Sequence, residues 1–185
     1  YEDDANSDYG TFVIYDSSGT AVKSETVFNS AATDHVSATT LTNGNVLIAY
    51  EDDANSDYGT FVIYDQDGNL VKSETVFESA AIGYNTEAIT LANGNVVIAY
   101  ADDANGDYGT FVIYDQDGNE VKAPTVFDNS QSWRFDATPL TNGNWLIAYG
   151  DNGNSNQGTF TIYDSEGNVV QSATVFENNA VYDIA

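Results

Sequence analysis

One segment recurs along the chain at nearly constant spacing. Residues 1–16, YEDDANSDYGTFVIYD, return unchanged at residues 50–65 and in related form from Tyr100 and Tyr149. The leading tyrosines are therefore 49, 50 and 49 residues apart. A period of this length is typical of propellers and solenoids, in which each repeat stacks on its neighbour. We expect one repeat domain over residues 1–185, with repeats at 1–49, 50–99, 100–148 and an incomplete one at 149–185.

Each repeat contains four short extended runs. In chain order they are His35–Leu41, Val46–Tyr50, Thr60–Tyr64 and, from the preceding copy, Val22–Phe28. The second and third runs are apolar on both faces, while the fourth alternates apolar and charged residues, as an outer strand with one wet face does. No window has the 3.6-residue period of a helix. The pattern predicts an all-β fold, a β-propeller-like array of four-stranded antiparallel blades; the alternative is a β-solenoid or an extended string of small sheets.

Turn signals separate these strands. Asn43-Gly44 between two extended runs predicts a two-residue type I′ hairpin, in which both residues have positive φ. With the strands in this order, Tyr1 corresponds to the end of the second strand of a repeat. A closed ring of four units would therefore need the first and second strands of one more blade. We therefore expect either an excerpt of a longer array or a gap filled by another chain, in a larger ring or polymer.

The charge of the chain restricts its partners. Its 185 residues carry 29 acidic and 4 basic side chains, a formal net charge of −25. Such a surface repels nucleic acid and anionic membranes and attracts cations. No apolar run approaches the roughly 20 residues that cross a bilayer. We predict no nucleic-acid binding and no membrane insertion, and partners among cations, glycans and proteins.

Oxygen-bearing side chains recur at alternate positions of the loop between the second and third strands. The candidate metal ligands are Asp4, Asn6, Asp8, Asp53, Asn55, Asp57, Asp103, Asn105 and Asp107. Oxygen ligands at alternate positions of a turning loop are what calcium requires, so calcium is the expected ion. The alternative is that these residues form tight, soluble turns through hydrogen bonds between their side chains and the backbone.

The segment between the fourth strand and the next first strand differs most between copies. It contains His35, Tyr84, Trp133, Arg134 and Tyr182. Variable segments on a rigid frame commonly hold binding residues, and exposed aromatic rings stack on sugars, so these five residues are the candidate ligand-binding set. The alternative is that the aromatic rings wedge between adjacent blades. Antiparallel connectivity places this segment and the acidic loops on the same rim.

Catalytic patterns are sparse. The chain has one His and no Cys, and the abundance of Asp and Glu makes any carboxylate pair uninformative. Arg134 is the only arginine, whereas a propeller sialidase needs several to hold a carboxylate substrate. We therefore expect a protein that is not an enzyme, with glycosidase activity as the less favoured alternative.

The repeat resembles a family of secreted proteins. The matching segments are Leu41–Asn45, Val46–Tyr50, Asp52–Asp57, Tyr64–Gly68 and Val71–Glu74. They resemble the tandem repeats of about fifty residues in large bacterial proteins of the RTX and hemolysin-type calcium-binding kind, including surface adhesins. The resemblance implies an extracellular or cell-surface location, calcium, and a structural or adhesive role.

Two functional hypotheses follow. The first is a non-enzymatic extracellular repeat protein of a surface adhesin, matrix or filament, stabilised by calcium. Its partners are other copies or further repeats of the same protein, and glycans or cell-surface proteins. The second is a glycan-binding propeller lectin that uses the variable aromatic residues.

Overall fold

A computed structural model describes residues 1–184 of the protein. They form an all-β structure of antiparallel strands, which confirms the predicted class. The strands are β1 (Glu2–Asp3), β2 (Tyr9–Tyr15), β3 (Ala21–Thr40), β4 (Val46–Asp52), β5 (Tyr58–Tyr64), β6 (Leu70–Thr90), β7 (Val96–Asp102), β8 (Tyr108–Tyr114), β9 (Glu120–Gln131), β10 (Phe135–Pro139), β11 (Trp145–Asp151), β12 (Gln157–Tyr163) and β13 (Val169–Ala180).

The repeat folds as a four-stranded antiparallel unit. In the second unit the end of β3 pairs with β4, with Thr40 opposite Val46. Strand β4 pairs with β5 in unbroken register, and β5 pairs with the first half of β6 through several bulges. The same order recurs in the third unit, from β6 to β9, and in the fourth, from β10 to β13.

The boundary between units differs from the sequence prediction. The fourth strand of one unit and the first strand of the next form one continuous strand in β3 and again in β6, so β1 to β9 make a single nine-stranded hydrogen-bonded series and β10 to β13 a separate sheet. Each long strand bends at an irregularity, where His35 and Tyr84 have φ of 50° and 60°. The variable segments that contain His35 and Tyr84 are therefore bends within β3 and β6, and not loops between separate strands.

Two local predictions are also corrected. Each loop between the second and third strands contains one turn of 3-10 helix: Asp4–Asn6 (η1), Asp53–Asn55 (η2), Asp103–Asn105 (η3) and Asn152–Asn154 (η4). No helix within residues 1–184 is long and apolar enough to cross a membrane.

The Asn43-Gly44 turn is not type I′, because Gly44 has a φ of 88° but Asn43 does not have positive φ. The Gly44 N–H bonds to the Leu41 carbonyl, which is the pattern of a type I turn followed by a left-handed residue.

Successive units pack face to face. Between the second and third units, Leu47 and Phe61 of one sheet meet Ile98 and Tyr114 of the next in a buried cluster. Equivalent clusters lie between the first and second units and between the third and fourth units. The inner strands are apolar on both faces because each face covers a neighbouring sheet.

Aromatic pairs recur at every interface between units. One series joins the third strands of successive units: Phe12–Tyr64, Phe61–Tyr114 and Phe111–Tyr163, with ring centroids 4.8, 4.8 and 4.9 Å apart. A second series joins a fourth strand to the next second strand: Phe28–Tyr50, Phe77–Tyr100 and Phe127–Tyr149, at 5.1, 5.2 and 5.3 Å. These separations are in the favourable range for aromatic pairs, so the same two contacts are made at each of the three interfaces.

The glycine of the Tyr-Gly-Thr motif is required by this packing. A Cβ atom on Gly59 would lie 2.3 Å from the ring of Phe77, and one on Gly109 would lie 2.4 Å from the ring of Phe127. These rings lie directly on the backbone of the third strand, where only glycine leaves room for them.

The polar contact beside these rings changes from one interface to the next. At the first interface, Asn29 Nδ2 donates a 3.0 Å hydrogen bond to Asp52 Oδ1. At the third interface, two acidic residues, Asp128 and Asp151, take these places, and the Ser130 hydroxyl lies 2.9 Å from Asp128 Oδ1. Burial, and to a lesser degree the charge of Asp151, raise the pKa of Asp128 to about 6 although Ser130 donates to it.

This raised pKa makes stability depend on pH. Because the folded pKa of Asp128 lies above its ordinary value of 3.8, its favourable contribution is complete below pH 3.8 and is lost as the pH rises through about 6. We expect Asp128→Asn to flatten the fall in melting temperature between pH 4 and 7. At pH 7 it should stabilise the protein by about 1 kcal/mol, because asparagine makes the Asn29-type hydrogen bond.

The control is Asp117→Asn, which removes the same charge from an exposed turn. Thermal melts at fixed ionic strength measure both variants. A pH dependence that is the same in Asp128→Asn as in the unaltered protein would contradict the assignment.

Candidate functional site

The candidate site lies where the 3-10 helices meet the bends of the long strands. Helix η2 follows β4 and helix η3 follows β7, and each is followed by left-handed residues, which in the first case are Ser56 and Asp57. The Ile82 N–H bonds to the Asp57 carbonyl at 2.9 Å and so ties β6 to this loop. The acidic loops and the variable segments therefore share one rim, as the connectivity predicted.

A pocket of about 230 Å³ opens on this rim, between the second and third units. We call it the rim pocket. It is lined by His35, Glu51, Asp57, Ala81, Ile82, Gly83, Tyr84 and Asp103. They come from the bends of β3 and β6, the end of β4 and the loops at η2 and η3. The pocket thus joins two members of the predicted ligand-binding set to two members of the predicted metal set.

One aromatic ring lines the rim pocket and a second lies next to it. Tyr84 is 60% exposed and its ring lies 5.1 Å from that of Trp133, which is 38% exposed. The Trp133 indole Nε1 donates to Asp107 Oδ2 at 3.3 Å, and Gln131 Nε2 donates to the same oxygen at 3.1 Å. The indole is therefore oriented by a buried carboxylate while part of its ring stays in solvent.

The other two predicted ligand-binding residues form a separate pair. The Arg134 guanidinium lies 5.9 Å from the centre of the Tyr182 ring, within the range of a cation–π contact. Tyr182 is 73% exposed. Neither residue lines the rim pocket.

His35 and Glu51 face each other within the rim pocket, with His35 Nε2 3.6 Å from a Glu51 carboxyl oxygen. Burial, followed by the charges of Asp57 and Asp34, raises the pKa of Glu51 to about 8. Glu51 is therefore mostly protonated at neutral pH, and its contact with His35 is not a full ion pair.

Acidic residues gather in two places among residues 1–184. One group is Glu2, Asp4 and Asp8, and the other is Asp34, Glu51 and Asp53; within each group the carboxyl oxygens lie within 4.8 Å of one another. Each group combines acidic loop residues with residues of the adjoining strands. Asp57, Asp103 and Asp107 belong to neither of these groups in the described part of the chain.

The local geometry explains how an acidic loop residue comes to lie beside residues of the strands. A 3-10 helix has three residues per turn, so residues two apart, such as Asp53 and Asn55, point in different directions. In the first loop, two of the predicted ligands, Asp4 and Asp8, lie together with Glu2. Asp53 instead approaches Asp34 and Glu51, which belong to two paired strands.

Glu51 is a site residue that the sequence analysis missed. It occupies the place of Glu2, Ala101 and Gly150 in the other units, immediately after the repeated tyrosine. Variation between copies, which identified the strand bends, also marks this position.

No protein-family model and no curated protein match the sequence. Among solved structures, the chain is similar to a polysaccharide lyase described as the ulvan lyase of family PL25, with a TM-score of 0.51 and 12% identity. The match covers 77% of this chain and 42% of the lyase chain, so the protein spans less than half the length of that enzyme. At this identity the likeness concerns the fold.

This likeness corrects the prediction that the protein is not an enzyme. A polysaccharide lyase has a similar fold, so the architecture accommodates catalysis. The scarcity of His and the absence of Cys were insufficient grounds for exclusion, because acid–base chemistry also uses carboxylates and tyrosine.

Proposed function

We propose that the protein binds a neutral or cationic polysaccharide across the rim pocket and the adjacent ring of Trp133. The observation that carries this proposal is the exposed Tyr84 ring in the wall of a pocket that His35, Glu51, Asp57 and Asp103 also line. A concave site with an aromatic surface and a few convergent polar groups is the usual form of a small-molecule or sugar site.

The aromatic rings supply the apolar half of recognition. Sugar rings present C–H faces that pack on aromatic side chains, and Tyr84 and Trp133 expose two such surfaces 5.1 Å apart. The hydrogen bonds from Trp133 and Gln131 to Asp107 limit rotation of the indole. A ring held in place before binding loses less conformational entropy when the sugar arrives.

The acidic side chains supply the polar half and the selectivity. Carboxylate oxygens accept hydrogen bonds from sugar hydroxyls, and the protonated Glu51 also donates one. The net charge of −25 repels anionic polysaccharides, whereas neutral sugars and protonated amino sugars are not repelled. The likeness in fold to a polysaccharide lyase supports a carbohydrate-related role.

We also propose that the stacked sheets are blades of a propeller-like array. Face-to-face packing of successive four-stranded units, with the same aromatic pairs at each interface, supports this arrangement. The extracellular or cell-surface location, and the relation to secreted calcium-binding repeats, stay predictions.

Glycan arrays followed by calorimetry test the binding proposal. We expect a neutral or amino-sugar oligosaccharide to bind, and Tyr84→Ala and Trp133→Ala each to weaken it about tenfold, since an aromatic contact contributes roughly 1–1.5 kcal/mol. The control is Tyr15→Ala, because Tyr15 is as exposed (62%) as Tyr84 but lies outside the rim pocket. Equal affinity in all three variants would contradict the proposed site.

A second candidate function is cleavage of the bound polysaccharide. Four groups able to transfer protons line one pocket, and acid–base catalysis uses groups of these types: His35, Glu51, Asp57 and Asp103. We expect release of new sugar ends from a bound polysaccharide and a loss of at least about a hundredfold in rate in Glu51→Gln. Binding without product release would leave the rim pocket as a binding site alone.

Calcium is the proposed stabilising ion, at the two acidic groups. The acidic side chains of each group lie close together, and a bound divalent cation favours their ionised form and stabilises the folded state by mass action. We expect the melting temperature to rise with calcium and fall with chelator at fixed ionic strength. Asp53→Asn should reduce this response, and Asp67→Asn, in an exposed turn outside both groups, should preserve it. A melting temperature that is the same with calcium and with chelator would contradict calcium as the stabilising ion.

A further inference from the structure

We infer that the third interface between units binds a divalent cation, calcium by its chemistry, through Asp128, Asp151, Ser130 and Ser132. These four residues, called the interface site below, lie where the end of β9 meets the end of β11. None of them belongs to the two acidic groups at the rim. All four side chains offer oxygen atoms, which are the ligands that calcium prefers.

The Ser130 hydroxyl lies between the two carboxyl groups. Its oxygen is 2.9 Å from each carboxyl oxygen of Asp128 and 3.4 Å from Asp151 Oδ1. The hydroxyl has one proton and therefore donates to only one of these three oxygens at a time. Oxygen ligands lie about 2.3–2.6 Å from a calcium ion, and hence roughly 3 to 3.5 Å from one another. Ser130 thus stands at ligand spacing from both carboxyl groups.

The Ser132 hydroxyl gives an independent indication of a missing ligand. The Ser132 side chain is fully buried, and its oxygen has no hydrogen-bond partner among residues 1–184. Ser132 packs against Gly109, which stands opposite Asp128 in the sheet. Burial raises the pKa of Asp128, and the hydroxyls of Ser130 and Ser132 oppose that rise, so the Ser132 hydroxyl faces this carboxyl group. Buried polar atoms nearly always have a partner, and here a cation between the oxygens supplies it.

The first interface shows what kind of atom belongs at this place. There, the Asn29 amide nitrogen donates to Asp52 Oδ1 at 3.0 Å and to Thr33 Oγ1 at 3.3 Å. Asp151 and Ser132 are the counterparts of these two acceptors, but the donor is replaced by a third acceptor. A cation at the third interface takes the role of that nitrogen, because it attracts all of these oxygens at once.

The second interface lacks the complete ligand set. It also has two acidic residues, Glu78 and Asp102, but Ala80 and Ile82 hold the places of the two serines. The Tyr100 hydroxyl donates to Glu78 at 3.0 Å. Only the third interface therefore combines two carboxyl groups with two hydroxyls, and the second provides a control within the same chain.

The interface site is accessible from solvent. A cavity of about 460 Å³ lies between the third and fourth units, and Asp128, Asn129, Tyr149 and Asp151 line part of it. A hydrated ion thus has a path to the carboxyl groups, and water molecules can complete the roughly six to eight ligands of calcium. Neither carboxyl group pairs with a basic side chain in the described part of the chain, so no fixed positive charge competes with the ion.

Helix η4 also fits closely around the site. A Cβ atom on Gly153 would lie 3.2 Å from Asp151 Oδ1 and 3.2 Å from Ser130 Cβ. The other units have alanine at this place. Glycine lets the loop pack against two of the proposed ligands, so the change in the loop accompanies the changes in the strand.

The first test is NMR of the whole protein titrated with Mn²⁺, which binds the same kinds of ligand and broadens the signals of nearby amides. We expect the signals of residues 128–132 to broaden and to recover when excess calcium displaces the manganese. Asp151→Asn should weaken binding at least about tenfold, because it removes one of two charged ligands. Ser132→Ala should weaken it without changing the charge, which keeps the test decisive where a charge variant does not fold. The control is Asp102→Asn, the same change at the second interface, which should leave the broadening unchanged.

The second test compares melting temperatures with calcium and with chelator at fixed ionic strength. In chelator, Asp128→Asn should be more stable than the unaltered protein, as expected above, because its amide supplies a donor. Calcium should nevertheless raise the melting temperature less in Asp128→Asn than in Asp102→Asn, because the first variant has lost a ligand. Both variants keep the rim groups, so the difference reports on the interface site.

Two results would overturn the inference. One is Mn²⁺ that broadens no signal among residues 128–132, and the other is an equal calcium response in Asp128→Asn and Asp102→Asn. Ion binding confined to the surroundings of Asp34 and Asp53 would remove the interface site and leave calcium at the rim intact. The two calcium proposals therefore fail separately.

Discussion

The structure depends on apolar and aromatic contacts between the faces of successive sheets. Each unit is apolar on both faces of its inner strands and has little interior of its own. Phe61, for example, is fully buried and packs on Tyr114 of the next unit. Stability is therefore a property of neighbouring pairs of units, as in other repeat proteins.

The contacts between sheets leave one rim free to vary. Tyr64 and Phe77 are fixed by their partners in adjacent units, whereas the bends at His35 and Tyr84 contribute little to the clusters. A rigid stack that holds variable residues at strand ends is a common basis for binding sites. Here the variation between copies produces one pocket with its own set of side chains, instead of a site repeated in every unit.

The acidic composition has different consequences at the interfaces and at the rim. At an interface, the replacement of Asn29 by Asp128 in the corresponding place turns a hydrogen-bonded pair into two acidic residues, and burial raises the pKa of Asp128. At the rim, Glu51 has a raised pKa for the same reason, reinforced by its acidic neighbours. In both places, burial raises the pKa of a carboxyl group in a crowded acidic surface. At the rim the raised pKa also provides a proton donor within a pocket.

The sequence by itself determined the period, the β class and the four strands of each unit, because these follow from local patterns: alternation, apolar runs and turn residues. It also placed the acidic loops and the variable segments on one rim, since antiparallel strands reverse at each turn. Only the tertiary structure decided that β3 and β6 run through two units, because this rests on left-handed backbone at His35 and Tyr84, and a tyrosine is not a typical residue for it. It also decided that Tyr84 meets Trp133 and that Glu51 meets His35, contacts between residues in different strands whose partners no local pattern specifies.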